Sequence, residues 1–117
     1  ILNDRSLPLI RLETPRIFYD YEAKYADGAG TRYICPSELE PQQEQEFQEL
    51  AFRAFQSVDG QGWGRVDFLC DGQQRPWFIE VNTIPGMTSH SLVPLAAGVA
   101  GLDFSQLVIH ILEGSIQ

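Results

Sequence analysis

Basic residues are scarce in this chain: eight Lys and Arg stand against sixteen Asp and Glu, a net charge of −8. That excludes a binder of nucleic-acid backbone, whose affinity is built on clustered Lys and Arg. It leaves room for a small anionic ligand, because a divalent cation can bridge acidic protein and acidic ligand. Cysteine is nearly absent too. Cys35 and Cys70 form no CxxC or other metal spacing, and two cysteines do not make a disulfide framework. Both fall in strand-like runs and are expected as buried, reduced thiols of a cytoplasmic protein. No apolar run approaches the roughly 20 residues that span a bilayer, so no membrane association is expected, and no signal peptide is visible. No Ser-His-Asp arrangement and no Gly-Lys phosphate loop of the Walker type can be assembled. Internal repeats and low-complexity segments are missing as well. An initial Met is also lacking: the chain opens "ILNDRSLPLIRLE", which reads as mid-strand and as a cut inside a larger protein.

What is present is the balance of a globular domain, or part of one: 117 residues, 44% hydrophobic and 21% charged. Apolar patches on either side of Asn3-Asp4-Arg5-Ser6 signal a hairpin with strands near 1–3 and 7–13. Residues 14–30, with several aromatics and the run "ADGAG", read as a long ordered loop. "TRYICP" is a short strand stopped by Pro36. From Pro41 the period changes. Phe47, Leu50, Ala51, Ala54, Phe55 and Val58 share one helical face. Ser37 and Glu40 give a capping-box signal, Glu44 and Glu46 suit the helix dipole, and Asp59-Gly60 is the stop. "GWGRVDFLC" and "PWFIEVN" are two strands joined by "DGQQR", with Asp71-Gly72 as the turn marker. Ser91 opens one helix, and Asp103 caps a second that stops near Gly114. The order predicts an α+β domain with a mostly antiparallel sheet flanked by helices.

Strand alternation puts Arg65 and Asp67 on one face, with Val66 and Phe68 on the other. On the second strand it groups Phe78, Glu80 and Asn82, opposite Trp77, Ile79 and Val81. A turn centred between Gln73 and Gln74 pairs Asp67 with Glu80, Arg65 with Asn82, and Val66 with Val81. Opposed carboxylates repel, and three devices compensate: a shared proton, the Arg65 guanidinium, or a hard divalent cation that takes one or two carboxylates and completes its shell with water and phosphates. Two readings follow, a Mg²⁺ site at Asp67, Glu80 and the Asn82 carbonyl, or a solvated strand face with a salt bridge to Arg65. His90 neighbours Ser91 and structures the loop. His110 is a structural residue of an apolar helix, and Tyr19, Tyr21, Trp63 and Trp77 are packing residues.

"GWGRVDFL" followed by "FIEVNTIPGMTSHSLVP" resembles the C-terminal portion of D-alanine–D-alanine ligases, members of the ATP-grasp superfamily. "FYDYEAKY" resembles the loop preceding these motifs, and the likeness runs over essentially the whole chain. The resemblance implies an ATP-grasp C-terminal lobe over 1–117, truncated on its N-terminal side, with 14–30 as a mobile active-site loop. It implies ATP-dependent joining of two D-alanines through an acyl phosphate, for peptidoglycan synthesis. By the same resemblance Asp67, Glu80 and Asn82 hold Mg²⁺ (or Mn²⁺) on the ATP phosphates. Arg65 and the Gly86 N–H steady the acyl phosphate and the tetrahedral intermediate. Ser91 and the Leu92 N–H bind the carboxylate of the second D-alanine, Lys24 contacts phosphate, and Tyr25 closes the loop. A Ser91 at a helix start fits anion binding independently. The other domains of the ligase, and a second copy as homodimer, are the implied protein partners. Because the N-terminal and most of the central domain are missing, the 117 residues alone are expected to be inactive. The alternatives are another ATP-grasp carboxylate–amine ligase, which in a depsipeptide-forming relative would alter Tyr25, a non-catalytic fragment or oligomerisation module, and a bare metal-binding domain.

Overall fold

The computed structural model describes residues 1–13 and 31–116. Along the chain these residues form β1 (Arg11–Glu13), β2 (Arg32–Ile34), α1 (Pro41–Ser57), β3 (Arg65–Cys70), β4 (Pro76–Asn82), α2 (Leu92–Val99) and α3 (Phe104–Ser115). β1 pairs with β2 and β3 with β4, both antiparallel. The fold is α+β, and α1 packs across β3 and β4.

The first predicted hairpin is corrected. Its turn exists: Asn3 and Asp4 both take positive φ, and Leu2 and Arg5 exchange backbone hydrogen bonds of 2.9 and 3.3 Å. The strands do not extend from it, because Leu2 bridges to Trp63 and Leu7 turns into the core. Pro8 has no N–H to continue a ladder. The strand that does form, β1, pairs with β2 instead, Leu12 opposite Tyr33. The expected loop at 14–30 lies outside the described residues.

α1 starts at the expected proline, but its buried positions are Phe47, Ala51 and Phe55 alone, while Leu50 and Val58 are exposed. The apolar stripe is one row narrower than the periodicity predicts. The capping signal is also corrected. Glu40 makes no side-chain cap. Ser37, buried just upstream, donates through Oγ to Glu44 Oε1 at 2.8 Å, and Glu44 also accepts the Ser37 N–H. The acidic group thus satisfies the approach to the helix from its first turn. At the other end, Gly60 and Gly64 lie against the Phe55 ring: a Cβ on either would come within about 2.5 Å of it. The two glycines let the aromatic anchor of α1 seat against the chain entering β3.

The core centres on Leu2, Leu7, Val93, Ala96, Ala97 and Leu107, with Trp63, Met87 and Leu102 packed around it. α3 begins with a full capping box, Asp103 Oδ1 accepting the Gln106 N–H at 2.8 Å and Gln106 Oε1 accepting the Asp103 N–H at 2.9 Å. No single helix among the described residues is long and apolar enough to cross a membrane; α2 and α3 reach that apolarity only as a pair bent by 104°.

β3 and β4 show a bulge. Arg65, Val66 and Asp67 oppose Asn82, Val81 and Glu80 as expected, but Phe68 opposes Phe78, Leu69 opposes Trp77, and Cys70 opposes Pro76. Ile79 is therefore the extra residue, and the turn is centred on Gln73 rather than between Gln73 and Gln74. The bulge also corrects the face assignment. Phe78 leaves the Glu80–Asn82 face and meets Phe68 edge-to-face, ring centroids 6.2 Å apart. The turn itself is organised by a side chain. Asp71 accepts the Gln73 and Arg75 N–H groups, the Arg75 guanidinium and the Trp77 indole N–H, each at 2.9 Å. Positive φ falls on Gln74 rather than on Gly72. Trp77, expected in packing, is exposed and belongs to this cluster, with Arg75 stacked 5.7 Å from its ring centre. Cys70 is corrected likewise: it is an exposed free thiol near the end of β3. Cys35 is half-buried, and burial, then the Glu44 carboxylate, push its thiol pKa up.

The Asp71 cluster has a pH signature. The Trp77 indole first, then the Arg75 amide, hold the Asp71 carboxyl down to a pKa of about 2. An unfolded aspartate titrates near about 3.9. A depressed folded pKa means the contribution is complete above the unfolded value and is lost as pH falls through the folded one. A carboxyl NMR titration is expected to give a midpoint of about 2 for Asp71. A midpoint near that of a free aspartate would mean that the indole and guanidinium bonds do not form.

Candidate active site

β3 and β4 bring Arg65, Asp67 and Glu80 into direct contact. The Arg65 guanidinium forks onto Asp67, Nε to Oδ1 at 2.8 Å and Nη2 to Oδ2 at 3.1 Å. The same Nη2 lies 3.6 Å from Glu80 Oε1. Arg65 and Asp67 side chains are about four-fifths covered, at 21% and 24% exposure, whereas Glu80 is 47% exposed. The arginine is thus the charge that lets two opposed carboxylates share one strand face. A planar guanidinium suits this task because it meets a carboxylate with two parallel N–H bonds.

Asn82 stands opposite Arg65. Its Oδ1 accepts the Ile84 N–H at 3.0 Å, an Asx-type turn that ends the strand. That bond fixes the amide oxygen and leaves it a second lone pair. The face therefore offers two carboxylates and one oriented amide oxygen, all hard donors. Among the described residues no group of three or more His, Cys, Asp and Glu side chains comes together. The donor set fits a cation that takes few protein ligands and fills its shell with water and phosphate, as Mg²⁺ does. It does not fit one that demands an all-protein cage.

The chain leaves β4 through buried Pro85 and reaches a second cluster at Gly86, Thr88 and Ser91. Ser91 is the N-cap of α2, in extended conformation, yet its hydroxyl makes no cap bond to the helix. The sequence explains why. A capping serine bonds the N–H of the second or third helical residue, and the third here is Pro94, which has none. The Ser91 Oγ instead accepts the Thr88 N–H at 3.0 Å and lies 2.8 Å from Thr88 Oγ1. The first-turn N–H groups of Leu92 and Val93 have no carbonyl within the helix to bond. Gly86 lies close under Ser91: a Cβ there would stand 3.1 Å from the hydroxyl. Gly86 and Ser91 thus lie side by side, with Leu92 next in the chain. Lys24 and Tyr25 lie outside the described residues, as do Tyr19 and Tyr21.

Two residues gain a place that sequence reasoning did not give them. Thr88 links the cluster, accepting the His90 N–H at 3.2 Å through its hydroxyl. The signal was present in the Thr-x-x-Ser spacing, which closes a local side-chain turn. Ile79, the bulge residue, stands exposed beside Glu80. Two open crevices among the described residues, about 410 and about 430 Å³, lie elsewhere, one beside Cys35 and Glu44, the other between Arg5 and Arg53. The candidate site is an open strand face with a loop beside it.

Comparison with known proteins gives one answer. The family described as D-ala D-ala ligase C-terminus matches residues 3–113. The D-alanine–D-alanine ligase of Nitrosococcus oceani is 56% identical over 117 residues, which are 100% of this chain and 37% of the relative. That of Methylococcus capsulatus is 61% identical over 109 residues, 93% of this chain and 35% of the relative. Among solved structures, the D-alanine–D-alanine ligase of Bacillus anthracis, also determined in complex with ATP, superposes with a TM-score of 0.81 at 33% identity, covering 99% of this chain and 37% of that one. A D-Ala:D-Ser ligase from Enterococcus faecalis follows at 0.72 and 30% identity, covering 92% of this chain and 31% of its own. The chain spans little more than a third of the length of the relatives it matches. On sequence and fold alike, this chain belongs to the D-alanine–D-alanine ligase C-terminus family.

Proposed function

We propose that the protein carrying this segment joins two D-alanines with ATP, forming D-alanyl-D-alanine, ADP and phosphate for peptidoglycan synthesis in the cytoplasm. The reading is supported above all by the cross-strand pair Asp67–Glu80 under the Arg65 fork. A carboxylate oxygen of the first D-alanine attacks the γ-phosphorus of ATP, and the bond to the ADP oxygen breaks. The amine of the second D-alanine then attacks the acyl carbon. Phosphate departs with the attacking oxygen, and the amine loses its proton. Arg65, on the strand face it shares with Asp67, stabilises the acyl phosphate and the tetrahedral intermediate by donating hydrogen bonds to their oxygens. The Gly86 N–H adds a donor, and the lack of a side chain there lets substrate and Ser91 approach together. Ser91 Oγ and the Leu92 N–H bind the acceptor carboxylate at the start of α2. Lys24 and Tyr25 belong to the same proposal, as the phosphate contact and the closing residue.

Asp67, Glu80 and the Asn82 amide oxygen would hold Mg²⁺, or Mn²⁺ in its place. Bound there, the cation neutralises polyphosphate charge during transfer. The remaining domains of the ligase would supply the nucleotide's other wall, so residues 1–117 alone would show no ligation. A homodimer of the whole protein is part of the same reading.

The test is a coupled assay of the full-length protein with Mg²⁺, ATP and D-alanine, with product identified by mass. Expected is ADP release that requires D-alanine and matches dipeptide mole for mole. ADP release with D-serine as acceptor but not D-alanine would instead favour the activity named for the Enterococcus relative. No amino-acid-dependent release would reject the proposal.

A further inference from the structure

We propose that Thr88 is a positioning residue that directs the Ser91 hydroxyl proton toward the acceptor carboxylate, an inference that rests on the ligase reading of Ser91. Ser91 Oγ has two contacts inside the loop: it accepts the Thr88 N–H at 3.0 Å and lies 2.8 Å from Thr88 Oγ1. Thr88 Oγ1 in turn accepts the His90 N–H at 3.2 Å. A hydroxyl has one proton and two lone pairs, so the pair has two arrangements. In one, Ser91 donates to Thr88 and has no proton left for a ligand. In the other, Thr88 donates to Ser91. Both Ser91 lone pairs are then occupied, and its own proton points out of the loop. A carboxylate only accepts, so it selects the second arrangement. There the chain of donors also polarises the serine O–H and strengthens its bond to the anion.

Pro94 works in the same direction. A serine at a helix start would ordinarily turn its oxygen onto the helix, but Pro94 withdraws one of the two usual partners. The Val93 N–H remains as a competing resting place for the oxygen. Thr88 holds Ser91 away from it and leaves the first-turn N–H groups for the same carboxylate. Gly86 keeps the other side of the hydroxyl clear, since a Cβ there would stand 3.1 Å from it. The serine oxygen is therefore held by Thr88, which leaves the serine proton as the free variable.

The experiment compares Thr88→Val, which keeps shape and the backbone N–H, with Thr88→Ser, which keeps the hydroxyl, in the full-length protein. Thr88→Val is expected to raise the acceptor KM for D-alanine by about tenfold, the loss of one well-placed hydrogen bond. kcat and the KM for ATP stay within about twofold of wild type. Thr88→Ser restores the acceptor KM. In a Ser91→Ala background, Thr88→Val adds no further change, because the two act as one unit. If Thr88→Val lowers kcat and raises both KM values alike, or adds its full effect without the Ser91 hydroxyl, Thr88 is only structural and the assignment is overturned. If Thr88→Val matches wild type in an active enzyme, the assignment also falls while the ligase reading stands. A wild type that forms no dipeptide from D-alanine removes both.

Discussion

Arg65→Ala is expected to lower kcat of the full-length protein by about a hundredfold to a thousandfold, the usual cost of deleting one preorganised donor at a developing oxyanion. Two features of the site make the loss large. The guanidinium is held by a bidentate bond to Asp67, at 2.8 and 3.1 Å, so its orientation is set before substrate arrives. It is also the charge that balances Asp67 against Glu80, whose Oε1 it reaches at 3.6 Å. Arg65→Lys is expected to recover little, because an ammonium cannot span both Asp67 oxygens and still present donors to phosphate. Steady-state ADP release checks both variants. A kcat within about threefold of wild type for Arg65→Ala would remove the residue from the chemistry and leave it as a strand-face salt bridge.

Glu80→Gln is expected to raise the Mg²⁺ concentration needed for half-maximal activity at least about tenfold and to lower kcat about a hundredfold, with the acceptor KM for D-alanine unchanged. The substitution keeps an oxygen in place and removes the charge, so it tests the cation rather than the packing. Asp67→Asn should act the same way and also loosen Arg65. Like charges directly opposite across two strands disfavour the folded state, and Glu80 is 47% exposed. Glu80→Gln should therefore cost less than about 0.5 kcal/mol of stability, as surface substitutions do. Loss of activity with stability kept marks a residue held for chemistry. Mg²⁺ dependence identical to wild type would place the cation elsewhere.

The candidate site was legible in sequence because it rests on strand alternation and on one hairpin. Asp67 and Glu80, Arg65 and Asn82 oppose each other as the pattern predicts. That success hides a compensation. The turn is centred on Gln73 rather than between Gln73 and Gln74, and the Ile79 bulge restores the register before it reaches Glu80. No single-residue propensity announces such a bulge, so the aromatic end of the hairpin was misassigned while its polar end was right. Only in the structure does Phe78 join Phe68, and Trp77 and Arg75 gather on Asp71.

Other misreadings have similar physical roots. The Asn3–Asp4 turn was readable, since it is local chemistry. Its strands were not, because Leu2 and Leu7 are claimed by a core that draws on Val93 and Leu107, far along the chain. Ser37 was assigned to Glu40 by spacing, whereas the geometry of the helix entry hands it to Glu44. Ser91 was identified as a helix start, yet the direction of its hydroxyl depends on Thr88 and Pro94 together. The exposed residues Leu69, Trp77, Ile79, Ile109 and Leu112 could be named apolar in sequence but not located on the surface.

The central claim is that the Arg65–Asp67–Glu80–Asn82 face serves phosphoryl transfer to a D-alanine carboxylate. The most direct test follows one oxygen. The full-length protein is given Mg²⁺, ATP and D-alanine labelled with ¹⁸O in its carboxyl group, and the released phosphate is weighed. The account predicts one labelled oxygen per phosphate, carried over from the carboxylate through the acyl phosphate. Phosphate released without label, alongside dipeptide, would contradict it.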